Sequence, residues 1–438
     1  MPLVGKDHQQ ILGILASRGI ATSRELQEAT RKSQPTVSRL LSDLSGQVLA
    51  LGRARATRYG LPKSIHGLSA QQPLFWTSEE GLTTRIGTLS LLAHDVVHVD
   101  TDRVESITTG VLPWYLAPLQ AQGFLGRLLA QRLALHGVDA DPQRWNVETV
   151  LFAALHLHDA PGALTLGEPV AAQRHVPLPV DTRRLPAALD ALALDVARTL
   201  PAGSSAGGEQ PKFLALMEDG RHVLVKFTPP RGTPFGERWS DLLHAESLAS
   251  GVLAEHGVPV ASTSVVQSAA RTYLLSDRFD RVGERGRRHV LPVGAAHNAF
   301  VAGSYTHWAA SCEALARQRR LSEVDAARAA ALLQFGRLIG NTDMHSGNLG
   351  LIVQPQDLAK GRFSLAPVYD MLPMRWRPDV LMGGACDYGP FEPDALSAAS
   401  AAATPAVDFW LRLASLDVVS RALRDVAAEM ARRVRQAH

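Results

Sequence analysis

At the N-terminus the apolar residues Ile11, Leu12, Ile14 and Leu15 fall at helical spacing, and Gly19 closes the run. Thr22-Ser23-Arg24-Glu25 has the form of a capping box and predicts a short helix to about Ala29. A third helix is expected over 34–44, with Pro35 near its first position and Val37, Leu40, Leu41 and Leu44 on one face. Its other face shows Gln34, Thr36, Ser38 and Arg39. Two short strands, 48–52 and 56–61, flank Arg53-Ala54-Arg55. Residues 63–80, with Gly67, Pro73 and mixed polarity, read as a linker.

Beyond the linker, alternating short apolar runs over 84–116 predict a small β-rich unit, followed by helices at 123–136 and 146–158 and a strand near Leu164. His156 and His158 stand two apart on a helix, hence on different faces, which argues against a metal pair. A small-residue loop over 200–212 leads into strands at 213–217 and 222–227, a helix from about Trp239 to Glu255 and a strand at 272–277. A helix over about 322–340 then delivers a polar loop, an apolar strand follows at 349–353, and helices near 405–415 and 417–435 end the chain.

Composition adds bounds. The chain has 438 residues, 46% hydrophobic and 20% charged, which describes a globular protein of two or three domains. It has no apolar run of about 18 residues and no apolar signal core at its start, so a cytoplasmic protein with no membrane partner is expected. Cys312 and Cys386 have neither ligand nor disulfide-framework spacing. Charge is unevenly placed: residues 1–62 carry nine Lys/Arg against four acids, leaving a body of about −2 within a net +3. Three helices and a basic hairpin over about 7–62 resemble a winged helix-turn-helix domain. That resemblance implies double-stranded DNA as partner, with Gln34, Thr36, Ser38 and Arg39 toward base edges and Arg53, Arg55 and Arg58 toward phosphates. The alternative is a module for dimerisation or docking.

The polar loop holds the candidate chemistry. Asp343 and Asn348 stand five residues apart, the Asp-to-Asn interval of a phosphotransferase catalytic loop. Asp343 can accept the proton of an attacking hydroxyl, and Asn348 offers a neutral oxygen to magnesium. Asp370, 22 residues past Asn348 at the end of the next strand, supplies the metal's carboxylate. Taken singly, Asp343 reads as a turn cap and Asp370 as a surface acid; their order and spacing make the case. Gly207 and Gly208 let backbone amides approach phosphate oxygens. Lys226, ending an apolar strand, needs an anionic partner, and Glu246 on the following helix is the candidate.

Ser204 to Lys212, Lys226, Ser276-Asp277-Arg278-Phe279-Asp280-Arg281, Asn341 to Asn348 and Ala366-Pro367-Val368-Tyr369-Asp370 together resemble the HipA family of serine/threonine kinases. The resemblance covers about residues 80–435. It implies an α+β, bilobed protein-kinase-like fold behind the helix-turn-helix: 1–62 DNA-binding, 63–80 linker, 81–281 N-terminal lobe with a small β-rich subdomain, and 282–438 a mainly helical lobe. It further implies magnesium and ATP as cofactors and a protein hydroxyl as acceptor, an aminoacyl-tRNA synthetase in known members. Asp343 would be the catalytic base, and Asn348 and Asp370 the metal ligands. Ala206, Gly207, Gly208, Lys226, Asp277, Phe279 and His345 would contact the nucleotide, and Ser204 or Ser205 would be autophosphorylated. Two departures stand out: Gly347 replaces the Lys usual before the loop Asn, and the helix-turn-helix is fused rather than carried by a separate antitoxin. A two-fold operator would make the chain a homodimer. The rival expectation is a DNA-binding transcription regulator whose kinase-like domain is catalytically silent; a small-molecule kinase shares the Asp-to-Asn loop but fits Ser204/Ser205 and the 277–281 run less well.

Overall fold

The computed structural model describes residues 5–52, 57–157, 159–168, 179–199, 210–378 and 388–438. The expectations for Arg53, Arg55, His158, Ser204, Ser205, Ala206, Gly207, Gly208 and Cys386 lie outside the described residues.

The N-terminal pattern folds as helices α1 (Lys6–Arg18), α2 (Ser23–Thr30) and α3 (Gln34–Asp43) with strands β1 (Ile20–Thr22), β2 (Leu49–Leu51) and β3 (Arg58–Gly60) in the order β1-β3-β2. Helix α1 ends where Gly19 takes φ +77° and its N–H bonds the Leu15 carbonyl. Both halves of the capping box form: the Thr22 hydroxyl accepts from the Glu25 N–H at 3.2 Å, and the Glu25 carboxylate accepts from the Thr22 N–H at 2.6 Å. Ile11, Leu15, Leu26, Val37, Leu40 and Leu41 build a small core of their own. Gln34, Ser38 and Arg39 are left exposed on α3 and Arg58 on β3, while Thr36 is half-buried beside the Ser33 hydroxyl.

The expected linker is not one. Residues 71–77 form strand β4 (Gln71–Thr77) of a five-stranded antiparallel sheet ordered β7-β6-β5-β4-β8, with β5 (Thr83–Leu92), β6 (Val96–Thr101), β7 (Glu105–Thr109) and β8 (Leu164–Leu166). Pro73 is tolerated because β8 pairs only with 74–76, leaving the missing N–H beyond the ladder. Helices α4 (Gly123–Leu133) and α5 (Val147–Leu155) follow within this unit.

A second sheet, ordered β11-β12-β10-β9, comprises β9 (Lys212–Leu216), β10 (His222–Phe227), β11 (Thr263–Gln267) and β12 (Thr272–Asp277). It packs with α6 (Leu185–Thr199) around Leu189, Phe213, Val225, Phe227 and Tyr273. Helix α7 (Pro234–Glu255) begins a turn earlier than expected because Thr233 caps it, accepting from the Gly236 N–H, and Pro234 suits the first turn.

After the hairpin β13 (Arg281–Val282) and β14 (Gly286–Arg287) comes a third sheet of β15 (His289–Pro292), β16 (Gly350–Val353) and β17 (Ser364–Leu365). Helices α8 (Val293–Phe300), α9 (Trp308–Arg317), α10 (Glu323–Leu338), α11 (Ala395–Ala398), α12 (Ala403–Ala414) and α13 (Arg421–Ala437) complete the chain. The β-rich unit, expected inside the N-terminal lobe, shares its core with this helical lobe instead: Leu89, Tyr115 and Phe152 are in one buried cluster with Leu291, Trp308, Phe335 and Trp410. Trp114 sets edge-on against both Phe300 and Phe363, closing that junction.

The helix-turn-helix is seated against the five-stranded sheet. Leu51 packs with Leu92 and Val96. A Cβ on Gly19 would lie 2.5 Å from Val96 Cγ2, and one on Gly60 2.6 Å from Leu92 Cδ1, so both glycines permit the approach. The Lys63 ammonium bridges Asp95 and Glu148, each at 2.8 Å. Among the described residues no helix is long and apolar enough to cross a membrane.

Candidate active site

Strand alternation turns Val225 and Phe227 into the small core and Lys226 to the opposite face, toward α7. There the Lys226 ammonium donates to Glu246 at 2.6 and 2.8 Å and to Asp370 Oδ1 at 2.5 Å. Lys226 and Glu246 are 5% and 4% exposed, so neither charge is stable without the other. Burial acts to lower the Lys226 pKa, but Asp370 and Glu246 outweigh it and the ammonium is held above its ordinary range. Burial keeps Glu246 above the usual carboxylate range. For Asp370 burial is again the largest influence, yet Lys226 and then Lys212 overcome it, and the group is held below that range. Asp370 is thus the more firmly ionised of the two carboxylates. Lys212 lies directly across from Lys226 in the β9/β10 ladder.

The catalytic-loop candidates sit between α10 and β16 and are locked by groups within and beside the loop. Buried Asn341 donates through Nδ2 to the Asp370 carbonyl at 3.3 Å and accepts from the Asp343 N–H at 3.0 Å, so one side chain ties the base candidate to the metal-ligand candidate. Asn348 donates through Nδ2 to the Asp343 carbonyl at 2.7 Å, which turns its amide oxygen into the group left for a cation. The Tyr369 hydroxyl donates to the Gly347 carbonyl at 2.7 Å and the Trp308 indole to the His345 carbonyl at 2.8 Å. His345 Nδ1 accepts from the Gly347 N–H at 2.9 Å, fixing the proton on Nε2, which lies 3.9 Å from Asp343 Oδ1. The Asp343 side chain remains 45% exposed, open to a reacting group. Asp370 has φ +60°, a backbone conformation L residues seldom adopt and one that the surrounding bonds must hold.

Other expectations fall differently. The Asp277 N–H bonds the Ser262 carbonyl at 2.8 Å and its carboxylate accepts from Arg221 at 2.9 Å, so that N–H is not free for an adenine edge. The Phe279 ring packs on Tyr369, centroids 5.5 Å apart, next to Asp370. The alternating charges that follow β12 form a buried cluster: Arg278 and Arg281 both bond Asp280 and Asp159, and Asp280 also accepts from the Gly162 N–H at 3.0 Å. Sequence reasoning gave Asn341 and Tyr369 no role of their own within the motifs and did not single out Trp308. Asn341 and Tyr369 adjoin the assigned residues, so position alone offered a signal; Trp308 had none.

Comparison with known proteins identifies the family. A family model described as the HipA-like C-terminal domain matches residues 204–438, and one described as the YjjJ-like toxin, middle domain, matches 68–175. The fold is kinase-like, and the chain belongs to the HipA family of toxins. Toxin YjjJ of Escherichia coli (strain K12) is 34% identical over 441 residues, covering 96% of each chain. A solved Shewanella oneidensis MR-1 toxin–antitoxin system, HipA with HipB and operator DNA, has a TM-score of 0.55 at 17% identity and covers 84% of this chain and 96% of that one. The family resemblance and the bilobed kinase-like fold expected from the motifs therefore hold.

Proposed function

We propose that this chain is a serine/threonine protein kinase that binds DNA through its own helix-turn-helix domain. One observation carries the reading: Lys226, Glu246 and Asp370 form a single buried ion cluster that Asn341 ties to the loop of Asp343 and Asn348. The donor set fits magnesium, because the Asn348 amide oxygen and the Asp370 carboxylate are hard oxygen ligands and two such groups leave room for phosphates and water. When bound, magnesium-ATP supplies the transferable γ-phosphoryl group. Asp343 takes the proton of the attacking hydroxyl, Lys226 neutralises phosphate charge, and His345 presents its Nε2–H on the same side of the loop. The acceptor is a protein hydroxyl, with an aminoacyl-tRNA synthetase the first candidate. Ser204 and Ser205 are candidates for self-modification, where about −2 of charge would repel nucleotide phosphates.

The test is intact-mass detection of phosphate after incubation with magnesium-ATP. Label is expected on the wild type, lost from Ser204→Ala/Ser205→Ala, and slowed by about 10²- to 10⁴-fold in Asp343→Ala. Label of equal rate in Asp343→Ala would remove that residue from the chemistry. For DNA, exposed Arg39 on α3 supports the reading. Arg39→Ala should weaken operator binding by about 1–3 kcal/mol in fluorescence anisotropy; unchanged affinity would count against α3 as the reading helix.

A catalytically silent regulator is favoured by one feature. A Cβ on Gly347 would lie 2.8 Å from His345 Cε1, so no cation can stand at that position while His345 is where it is. ATP binding without label in any version would point to that reading.

A further inference from the structure

Helix α7 carries Glu246 near its middle, and its N-terminal half is fastened to the segment that follows Asp370. Trp239 and Leu242 form a buried apolar cluster with Leu372 and Met374, two and four residues past Asp370. Between Trp239 and Leu242 in the helix, buried Asp241 accepts from the Tyr388 hydroxyl at 2.7 Å, from the Ser420 N–H at 2.8 Å and from the Ser420 hydroxyl at 2.5 Å. Ser420 is itself the cap of α13, accepting from the Leu423 N–H. Arg238 lies over the Tyr388 ring at 3.5 Å from its centroid, and Trp376 meets that ring edge-on. The carboxylate of Asp241 is thus the junction of three elements: α7, the start of α13, and the chain downstream of Asp370.

Less than two helical turns separate this junction from the ion cluster. Asp241 and Glu246 are five residues apart on one continuous helix, about 7.5 Å along its axis. Glu246 has only Lys226 as its hydrogen-bonded partner among the described residues, so its position depends on where α7 is held. We propose that Tyr388 and Asp241 are positioning residues for phosphoryl transfer: their hydrogen bond sets α7, and through it the Lys226–Glu246 contact and the charge beside Asp370. This rests on the kinase reading for its catalytic consequence, but the mechanical link does not.

Two measurements on the full chain separate the two. The first is hydrogen exchange by mass spectrometry without nucleotide, comparing wild type with Tyr388→Phe, which keeps the ring for Arg238 and Trp376 and removes only the hydroxyl. Amides over 243–249 and over β10 should exchange roughly fivefold faster, the scale of one lost hydrogen bond, while β5 stays unchanged. No change at 243–249, or an equal rise in β5, overturns the proposal, whether or not the protein proves to be a kinase. Asp241→Asn should give the same pattern, larger.

The second is a double-mutant cycle in phosphate incorporation at saturating magnesium-ATP. Tyr388→Phe should slow the wild type about tenfold and a Glu246→Gln background less than twofold, because the residue acts through Glu246. Equal losses in both backgrounds would overturn it, since a merely structural contact gives additive effects. A wild type with no activity would sink the kinase reading and leave the exchange experiment to decide this one.

Discussion

Lys226 is held by two carboxylates of unequal character, Glu246 buried with it and Asp370 about a quarter exposed. Replacing it with Met leaves Glu246 buried without a counter-charge. Lys226→Met should therefore cost about 3–5 kcal/mol in urea unfolding at pH 7, and a loss under 1 kcal/mol would show that Glu246 had simply taken up a proton. His289 behaves oppositely, as a buried group kept neutral. Nδ1 accepts from the Ala163 N–H at 3.3 Å, Nε2 faces the Tyr115 carbonyl at 2.9 Å, and burial pushes the imidazole down to about 4. The unfolded state takes up this proton first, near pH 6.5, so stability is full above that pH and falls as pH drops toward 4, below which it levels. The expected loss is about 3 kcal/mol; His289→Gln should flatten that part of the stability–pH curve, and an unchanged curve would assign the loss to other groups. At this scale the candidate loop was legible because its Asp-to-Asn interval is short and local, and the structure does bond Asn348 to the Asp343 carbonyl. An ion pair was unreadable where its partner comes from far along the chain: nothing near Asp280 announces Asp159.

The charge run after β12 shows the same limit for elements. The family resemblance places Asp277 and Phe279 of this run against the nucleotide. In the fold, Arg278, Asp280 and Arg281 are buried against Asp159 and the backbone of 160–162, pinning the end of the second sheet to the β-rich unit. The Asp280 carboxyl is held far below its usual range, burial being outweighed by Arg278 and Arg281. Asp280→Ala leaves two guanidiniums with one carboxylate among them, and should destabilise the protein by about 3–5 kcal/mol in chemical denaturation; an effect under 1 kcal/mol would mean that water reaches the cluster. Helices and strands with one clear apolar face, such as α3 and β10, were legible from periodicity. Strand β4 was not, because Gly67 and Pro73 are turn signals locally and only the short reach of β8 makes Pro73 acceptable. Helix α6 went unread because its apolar residues do not mark one face: Leu189 and Ala193 are buried, but Leu192 and Leu194 are exposed.

For the whole molecule, the two-lobed outline followed from motif order, but the allegiance of the β-rich unit did not. Its strands read only as short apolar runs, β5 and β6 each burying four residues in a row, and the tertiary contacts of Trp114, Tyr115 and Phe152 decide which lobe they serve. The basic N-terminal module was legible as a unit because it has a core of its own.

The seam between that module and the sheet bears on how the chain can be divided. Residues 61–68 are not slack: the Leu61 carbonyl accepts from Ala93 at 2.7 Å, the Lys63 N–H donates to Leu91 at 3.0 Å, and Ile65 is fully buried. A protease looking for an open tether would find none there, and a truncated body beginning at residue 63 would present Leu92 and Val96 bare to water. Anyone wishing to study the two halves apart must therefore redesign that strip with polar residues first, for the fusion is a joint rather than a leash.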